Sequence, residues 1–428
     1  MKNSSQKTDT IRNSTNSSPI TSLNLVPMKR PLEVIGFRLK ERLGFFDKKL
    51  WERFKCLSHP LWFHGASVGE ALLCLRVAQA LKPLVWNDFV FSAMTPEGIR
   101  LLERQGELAL PLPLDLPFSV RRYMKAIQPK AILIAESEIW PNLISAAKKA
   151  GIPLVVFNAR ISSANFKRLR LLKGLFYKAF SQLSLVLARS PEDAERFAHL
   201  GVPEDRIYVT GDLKFLRPFQ PQWDQVEVLR AEIGLSDQRV IIAGSTHQGE
   251  EELVLYAFVK LREKFPSLRL IIAPRHIQRV GEVIGRSTSL GFNTTRRTAL
   301  SGRIWDVMVV DTVGELRNFY GLADVAFVGG SFVKGVGGHN LLEPLVWGKP
   351  VIFGPFVENF KGLAERLERE RLGFKATSPE ELVLCLHRSL TADVLSEEIY
   401  RKTSVLFEEG QRALENTLSA IKDLLEGK

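Results

Sequence analysis

Cysteine is scarce in this 428-residue chain: Cys56, Cys74 and Cys385 stand far apart and in no paired spacing. That excludes a disulfide framework and a clustered zinc site, and favours a reducing compartment. Long hydrophobic runs are also missing. The longest, such as Ala131–Ala135, have the length of buried strands and fall short of the roughly 18–20 apolar residues that span a bilayer, so the chain reads as soluble or peripheral. No Gly-x-x-x-x-Gly-Lys phosphate loop, no His-Glu-x-x-His pair and no Asp-x-Asp pair occurs. These absences argue against P-loop, zincin and metal-dependent sugar-nucleotide chemistry; neither a metal site nor a cofactor is expected. Acidic residues vanish from Ile139 through Pro191, a span that carries nine Lys and Arg.

The charge that is present leans basic: 59 Lys and Arg against 47 Asp and Glu, a formal +12. Such a balance speaks to partners rather than to fold. The segment Lys29–Lys55 mixes nine basic residues with Phe37, Phe45, Phe46, Trp51 and Phe54. Aromatics set between cations suit a surface lying against anionic headgroups, although a solvated helix face explains any single charge run. Residues 1–27, rich in Ser, Asn and Thr and lacking an apolar h-region, read as a disordered tail rather than a secretory signal. Met28 is an alternative start.

Beyond residue 58 the pattern alternates. Apolar runs at Leu61–His64, Val85–Phe91, Ala131–Ala135, Leu154–Phe157, Leu185–Ala188 and Ile207–Val209 read as strands, with helical stretches such as Glu70–Leu81 and Asn142–Ala150 between them. After a polar, Pro-containing break at Arg217–Asp224 the alternation restarts. Strands are expected at Val240–Ala243, Leu268–Ala273, Val307–Val310, Val325–Val328 and Val351–Phe353, and helices at Glu250–Lys264 and Asn340–Trp347. Alternation of this kind means parallel sheets with right-handed crossovers. The expected organisation is α/β: a tail (1–27), a basic membrane-proximal segment (28–58), and two Rossmann-like domains (59–218 and 225–428), the second ending in helices from about Pro379. Ligands in such sheets bind outside the carboxyl ends of the strands, so two facing domains place the crevice between them.

Chemistry concentrates at those strand ends. Leu61–His64 runs into Gly65-Ala-Ser-Val-Gly-Glu70, whose small residues allow close backbone approach and which sets Glu70 at a helix N-terminus. A Glu there also serves simply to complement the helix dipole. Ala131–Ala135 delivers Glu136-Ser-Glu138; if the strand continues, both carboxylates point to one side, where they raise each other's pKa or require basic neighbours. Capping of the next helix by Ser137 and Glu138 is the competing account, weaker for Glu136. Lys214, within Gly211-Asp-Leu-Lys-Phe215 near the domain junction, is placed to hold a donor carboxylate or a leaving phosphate.

In the second half, Ala243-Gly-Ser-Thr-His247 precedes a helix opening with three Glu, 250–252, a common form of anion cradle. Arg275 in Ala273-Pro-Arg-His276 offers a guanidinium, and Asp311-Thr-Val-Gly-Glu315 and Gly329-Gly-Ser331 follow. Asn340 and Glu343 have the spacing of a capping box, but Gly335, Gly337 and Gly338 exceed what a cap requires and fit amides aimed at phosphate. Without a metal, leaving-group charge falls to helix N-termini, Lys and Arg.

Taken in order, HGASVGE (64–70), ESEIWPN (136–142), NARIS (158–162), GDLKF (211–215), GSTHQGEE (244–251), APRH (273–276), DTVGEL (311–316), FVGGS (327–331) and GGHNLLEP (337–344) resemble the 3-deoxy-D-manno-octulosonate (Kdo) transferases of lipopolysaccharide synthesis. The similarity runs from about residue 40 to about residue 410. It implies a GT-B fold and an inverting, metal-independent transfer of Kdo from CMP-Kdo to a lipid A precursor. On the family pattern Glu70 matches the general base, and Glu136 and Lys214 match transition-state stabilisers. Pro274, Arg275, Val313, Gly314, Glu315, Asn340, Leu341, Leu342 and Glu343 match the segments that hold CMP. An oxocarbenium-like centre and a departing anion need a base on the acceptor side and cations on the CMP side. Many relatives begin with an apolar anchor; here the polar tail and the basic segment take its place, which points to peripheral attachment at the cytoplasmic face of the inner membrane.

Two other readings compete. A different GT-B sugar-nucleotide enzyme, such as a UDP-sugar epimerase or a lipid-disaccharide synthase, is separated by CMP-versus-UDP choice. A basic protein binding nucleic acid has no use for Glu70, Glu136 and Glu315 at a cleft, where they repel phosphates; no nucleic-acid partner is expected.

Overall fold

The computed structural model describes residues 37–85, 87–171, 173–300, 304–391 and 395–427. The expected tail, and the basic segment as far as residue 36, lie outside the described residues. The first sheet is built from β1 (Leu61–His64), β2 (Phe89–Ala93), β3 (Ala109–Pro111), β4 (Ala131–Ala135), β5 (Leu154–Ala159), β6 (Leu185–Ala188) and β7 (Ile207–Val209). The second is built from β8 (Val240–Thr246), β9 (Arg269–Pro274), β10 (Thr294–Arg296), β11 (Val307–Val309), β12 (Val325–Val328), β13 (Val351–Phe353) and β14 (Gly373–Lys375). The orders are β3-β2-β1-β4-β5-β6-β7 and β10-β11-β9-β8-β12-β13-β14. Central strands such as β1, β4 and β12 are buried along their whole length, as expected where helices cover both faces of a parallel sheet.

In both sheets the strand order reverses beside the first strand, between β1 and β4 and between β8 and β12. Register fixes what emerges there. His64 pairs with Ile134 and Gly244 with Val328, so each pair of neighbouring strands ends almost level and its loops leave side by side. This reversal is the usual ligand position in open α/β sheets.

The differences from expectation have local causes. The second strand begins at Phe89 rather than Val85, because the chain turns at 82–84 after the helix Val68–Leu81. Strands β3, β10 and β14 were not expected: each has three residues and lies at a sheet edge, too short to show a period. The helix expected over Asn340–Trp347 is a single turn, Leu342–Leu345. Strands β5 and β8 run two and three residues beyond expectation through register shifts at Val156/Ala159 and Gly244/Thr246. Asn158 (φ 48°) and Ser245 (φ 56°) take left-handed backbone at those shifts.

Residues 225–428 do not pack as one unit. The last helix, Leu395–Glu426, starts on the second core through Ile399, Leu406 and Phe407 and ends in the first through Ala413 and Ile421. Its apolar period simply outruns either domain's face. The basic segment is also more embedded than its composition suggests. Phe54 is buried and packs with Phe46 against Tyr123, which leaves Phe45 and Trp51 exposed. Among the described residues no helix is long and apolar enough to cross a membrane.

Candidate active site

The first site is assembled at the β1/β4 reversal. Ser67 caps the helix Val68–Leu81, its Oγ accepting from the Glu70 amide at 3.3 Å, and Glu70 Oε2 accepts in return from the amides of Ala66 (2.7 Å) and Ser67 (3.4 Å). Glu70 is therefore a capping-box residue, yet only one of its oxygens is so engaged; among the described residues Oε1 accepts no hydrogen bond. The turn requires glycine at 65, where a Cβ would lie 2.5 Å from the Glu70 carbonyl carbon and 2.7 Å from the Ala71 nitrogen. Burial raises the Glu70 pKa, the Glu136 charge raises it further, and the two amides together with the Ser67 hydroxyl offset part of the rise.

Glu136 breaks the strand rather than continuing it. Its φ is +62°, a strained conformation for a non-glycine residue and one that persists where surrounding contacts hold it. Those contacts are two cations: Lys214 Nζ at 2.8 Å from Oε1 and Arg160 Nε at 2.6 Å from Oε2. Burial pushes the Glu136 pKa up, but Lys214 and Arg160 outweigh it and hold the carboxyl below its usual range. Asn158 connects the pieces: its Oδ1 accepts from the Leu213 amide at 2.9 Å, tying the end of β5 to the 3-10 turn Leu213–Phe215 that carries Lys214.

The competing account of Glu138 as a helix cap does not hold. The helix Pro141–Lys149 begins after Trp140, and Asp115, from another loop, accepts from the amides of Asn142 (3.0 Å) and Leu143 (2.9 Å). Burial, then the charge of Glu70, push the Glu138 carboxyl up to about 7. Three carboxylates thus share one strand-end cluster, the Glu136 one held ionised by its cations. Arg160 was not singled out as a site residue in the sequence; its place in the NARIS block was the available signal.

The second site occupies the β8/β12 reversal, and five of its amides are already taken within the protein. The fully buried Glu250 carboxylate accepts from the backbone of His247 (2.9 Å), Gly330 (2.7 Å), Ser331 (3.0 Å) and Phe332 (2.9 Å). The expected anion cradle is filled by the protein's own anion. The Gly338 amide is likewise committed, to Gly330 O at 2.9 Å. What faces outward is a side-chain set. Arg275 follows Pro274 at the end of β9, is exposed, and makes no hydrogen bond or ion pair through its guanidinium among the described residues. His247 and His339 share an Nε2···Nε2 hydrogen bond of 2.8 Å, and His276 packs edge-on to His247 with ring centroids 5.6 Å apart. Burial lowers both His247 and His339, the latter to about 4.

The remaining donor-side residues divide. Asn340 Oδ1 accepts from the Leu342 amide (3.1 Å) and its Nδ2 faces Glu343 Oε1 at 3.4 Å, so the pair touches without forming the expected capping box. Burial raises the Glu343 pKa; Asn340, Arg317 and Arg275 draw it back. Leu341 and Leu342 have core side chains, which leaves only their main chain for a ligand. Val313 is 84% exposed, Gly314 lies at φ +92°, and Glu315 pairs with Arg297 at 3.3 Å and with Thr312 Oγ1. Among the described residues there is no cluster of His, Cys, Asp and Glu able to hold a metal.

Residues 37–217 match a family model described as 3-deoxy-D-manno-octulosonic-acid transferase (kdotransferase). The 3-deoxy-D-manno-octulosonic acid transferase of Haemophilus influenzae is 33% identical over 401 residues, 91% of this chain and 92% of the relative. The enzyme of that name from Aquifex aeolicus is 33% identical over 387 residues, 90% of this chain and 98% of the relative. Among solved structures, a glycosyltransferase from Rickettsia africae superposes with a TM-score of 0.55 over 86% of this chain and 98% of its own, at 14% identity; that likeness speaks to the two-domain fold alone.

Proposed function

The chain belongs to the 3-deoxy-D-manno-octulosonic acid (Kdo) transferase family, glycosyltransferases of GT-B fold, and from this premise we propose that it moves Kdo from CMP-Kdo onto a lipid A precursor of the lipid IVA type, with inversion and without a metal, in lipopolysaccharide biosynthesis. The observation that carries the acceptor side is Glu70: one oxygen is fixed by two amides while Oε1 stays unpaired at the strand-end cluster. A raised pKa moves the group closer to working pH, where a general base is most effective. In this reading Glu70 Oε1 takes the proton from the acceptor hydroxyl as its oxygen attacks the anomeric carbon from the face opposite CMP.

Glu136 and Lys214 act together. The ionised carboxylate offsets positive charge developing at the anomeric centre, and the ammonium 2.8 Å away reaches the Kdo carboxylate. Preorganised charges of this kind stabilise a transition state without reorganisation cost. On the other side Arg275 meets the CMP phosphate, Glu343 and Asn340 the ribose hydroxyls, and the main chain of Val313, Gly314, Glu315, Leu341 and Leu342 the remainder, with Pro274 setting the end of β9. Arg275 and Lys214 supply the cationic charge otherwise drawn from a divalent ion.

The acceptor's acyl chains keep it in the bilayer, so the enzyme works from the surface, at the cytoplasmic face of the inner membrane. Support comes from the helix Ser163–Leu171, which has no buried side chain, carries Lys167, Arg168 and Arg170, and ends in Leu171, 86% exposed. Incubation with CMP-Kdo and a tetra-acylated lipid A precursor in EDTA, followed by mass spectrometry of the lipid, tests the whole reading. A mass gain of one or more Kdo units supports it. A lipid that gains no Kdo, or gains it only after magnesium or manganese is restored, overturns the transfer or its metal independence respectively.

A further inference from the structure

We propose that Gly410, on the helix that joins the two domains, is a positioning residue that sets the Lys214–Glu136 ion pair. The inference rests on the roles proposed above for Lys214 and Glu136. Gly410 sits inside the 32-residue helix Leu395–Glu426, where glycine weakens a helix relative to alanine, so its presence there calls for a packing reason. That reason is clearance. A Cβ at 410 would lie 2.6 Å from the Leu216 nitrogen and closer still to the carbonyl group of Phe215. These are main-chain atoms with no rotamer to yield. Phe215 is the last residue of the 3-10 turn Leu213–Phe215, and Lys214 is its middle.

The rest of the turn is clasped from both domains. From the first, Asn158 holds the Leu213 amide at 2.9 Å, and Arg76 donates to Leu216 O (3.3 Å) and Arg217 O (2.5 Å). From the second, the Arg366 guanidinium lies 4.4 Å from the Phe215 ring centroid and pairs with Glu409, the neighbour of Gly410, at 2.7 Å. One turn further along the helix, Ala413 lies against Gly211, where an added Cβ would stand 2.8 Å from the Ala413 Cβ. Asn416 donates to Thr210 O at 3.4 Å. Small residues three apart on one helix face therefore seat the strand-to-turn segment 210–216. Because the same helix is rooted in the second core through Leu406 and Phe407, its position is set by the donor domain while it presses on the turn carrying Lys214.

The test is Gly410→Ala. A displaced turn takes the Lys214 ammonium away from Glu136. The charged groups around Glu136 are Lys214, Arg160, Glu70, Glu138 and Arg189; of these only Lys214 rides on the turn. With Lys214 withdrawn and only Arg160 left to offset burial, the Glu136 pKa rises, so the acid limb of the kcat profile moves to higher pH. We expect kcat to fall at least tenfold at neutral pH, KM for CMP-Kdo to stay within about threefold, and the acid limb to move up. A purely structural role would change melting temperature and yield without moving that limb. Arg366→Ala, which removes the guanidinium from Phe215 without adding bulk, should shift the limb in the same direction by less, and decides the matter if Gly410→Ala fails to fold. Unchanged kcat and an unmoved limb in the variants that fold overturn the proposal. Wild-type enzyme that transfers no Kdo overturns the functional reading instead, and a crystal structure of Gly410→Ala with the Lys214–Glu136 contact intact overturns the positioning role whatever the activity.

Discussion

The two strand-order reversals are built on one plan and filled with opposite chemistry. At each, the first strand of the sheet ends in a small-residue turn and a helix whose opening Glu reaches back to loop amides: Glu70 to two, Glu250 to four. Glu250 is sealed, with its oxygens spent on the β8 and β12 loops. Glu70 keeps one oxygen open. Around Glu70 gather further carboxylates and the cations that control them; around Glu250 the outward groups are Arg275 and a histidine cluster. The topology sets where the loops of neighbouring strands meet, and the number of amides on each carboxylate separates one that is sealed from one with an oxygen to spare.

That contrast breaks most sharply by neutralising each glutamate in turn. Glu70→Gln should lower turnover by roughly 10²–10⁴, the usual cost of a lost general base, with CMP affinity and melting temperature close to wild type. Glu250→Gln should do the reverse. It puts an amide N–H among backbone donors, and hydrogen bonds to a charged group are worth about 1.5–3 kcal/mol each. We expect a loss of about 3–5 kcal/mol and a melting temperature lower by about 10 °C. Equal effects of the two variants on stability, measured by thermal melts, would contradict the distinction.

The donor side is sharpened by Arg275→Ala. An exposed guanidinium without a protein partner costs little to remove from the free protein, so its loss should appear in binding, with CMP affinity weaker by about 10–100-fold by calorimetry, as expected for a charge-assisted contact. Unchanged affinity would remove Arg275 from the phosphate site. A smaller effect is expected at the membrane surface. Reversal of Lys48, Lys49, Arg53 and Lys55 to Glu should weaken binding to anionic liposomes several-fold, at about 1 kcal/mol or less per cation and screened by salt. CMP affinity should not change. Liposome binding that ignores both the reversal and added salt would assign the surface elsewhere.

The narrowest effect, in stability over a limited pH range, concerns Glu138. Its carboxyl is pushed up to about 7 by burial and by Glu70, whereas an unfolded chain ionises near 4.3. A raised acid pKa means the folded state binds the proton more tightly, so stability is lost as pH climbs between those values and the cost is complete above about 7. It amounts to about 4 kcal/mol at most, and less in a group that is not fully buried. Glu138→Gln should therefore raise the melting temperature by a few degrees at pH 8 and hardly at pH 5. A gain independent of pH would show that Glu138 ionises normally.

Much was legible in the linear sequence. Eleven strands followed from short apolar runs, and the three that escaped notice are three-residue edges whose half-paired backbone leaves no pattern to read. Glu70, Glu136 and Lys214 stood out as charged residues following strand ends beside the expected crevice, and their roles came from the family resemblance of the blocks that hold them. The cradle at the helix that opens with Glu250 was read as a ligand site, but helix N-terminal composition does not say which anion approaches, and there the amides of His247, Gly330, Ser331 and Phe332 are taken by Glu250.

Period, strand length and turn composition are local properties, so the layered fold, the succession of strands along the chain and the residue types at each strand end could be read from the order of amino acids alone. Only the tertiary structure decided which charges meet. Glu136 and Lys214 are far apart in the chain, and what brings them to 2.8 Å is the left-handed backbone at Glu136 and Asn158, together with the clasp on the Lys214 turn from both domains. Whether a carboxylate is buried with two cations or beside another carboxylate depends on contacts between distant segments, and those contacts, rather than residue identity, move the Glu136 and Glu138 pKa values in opposite directions.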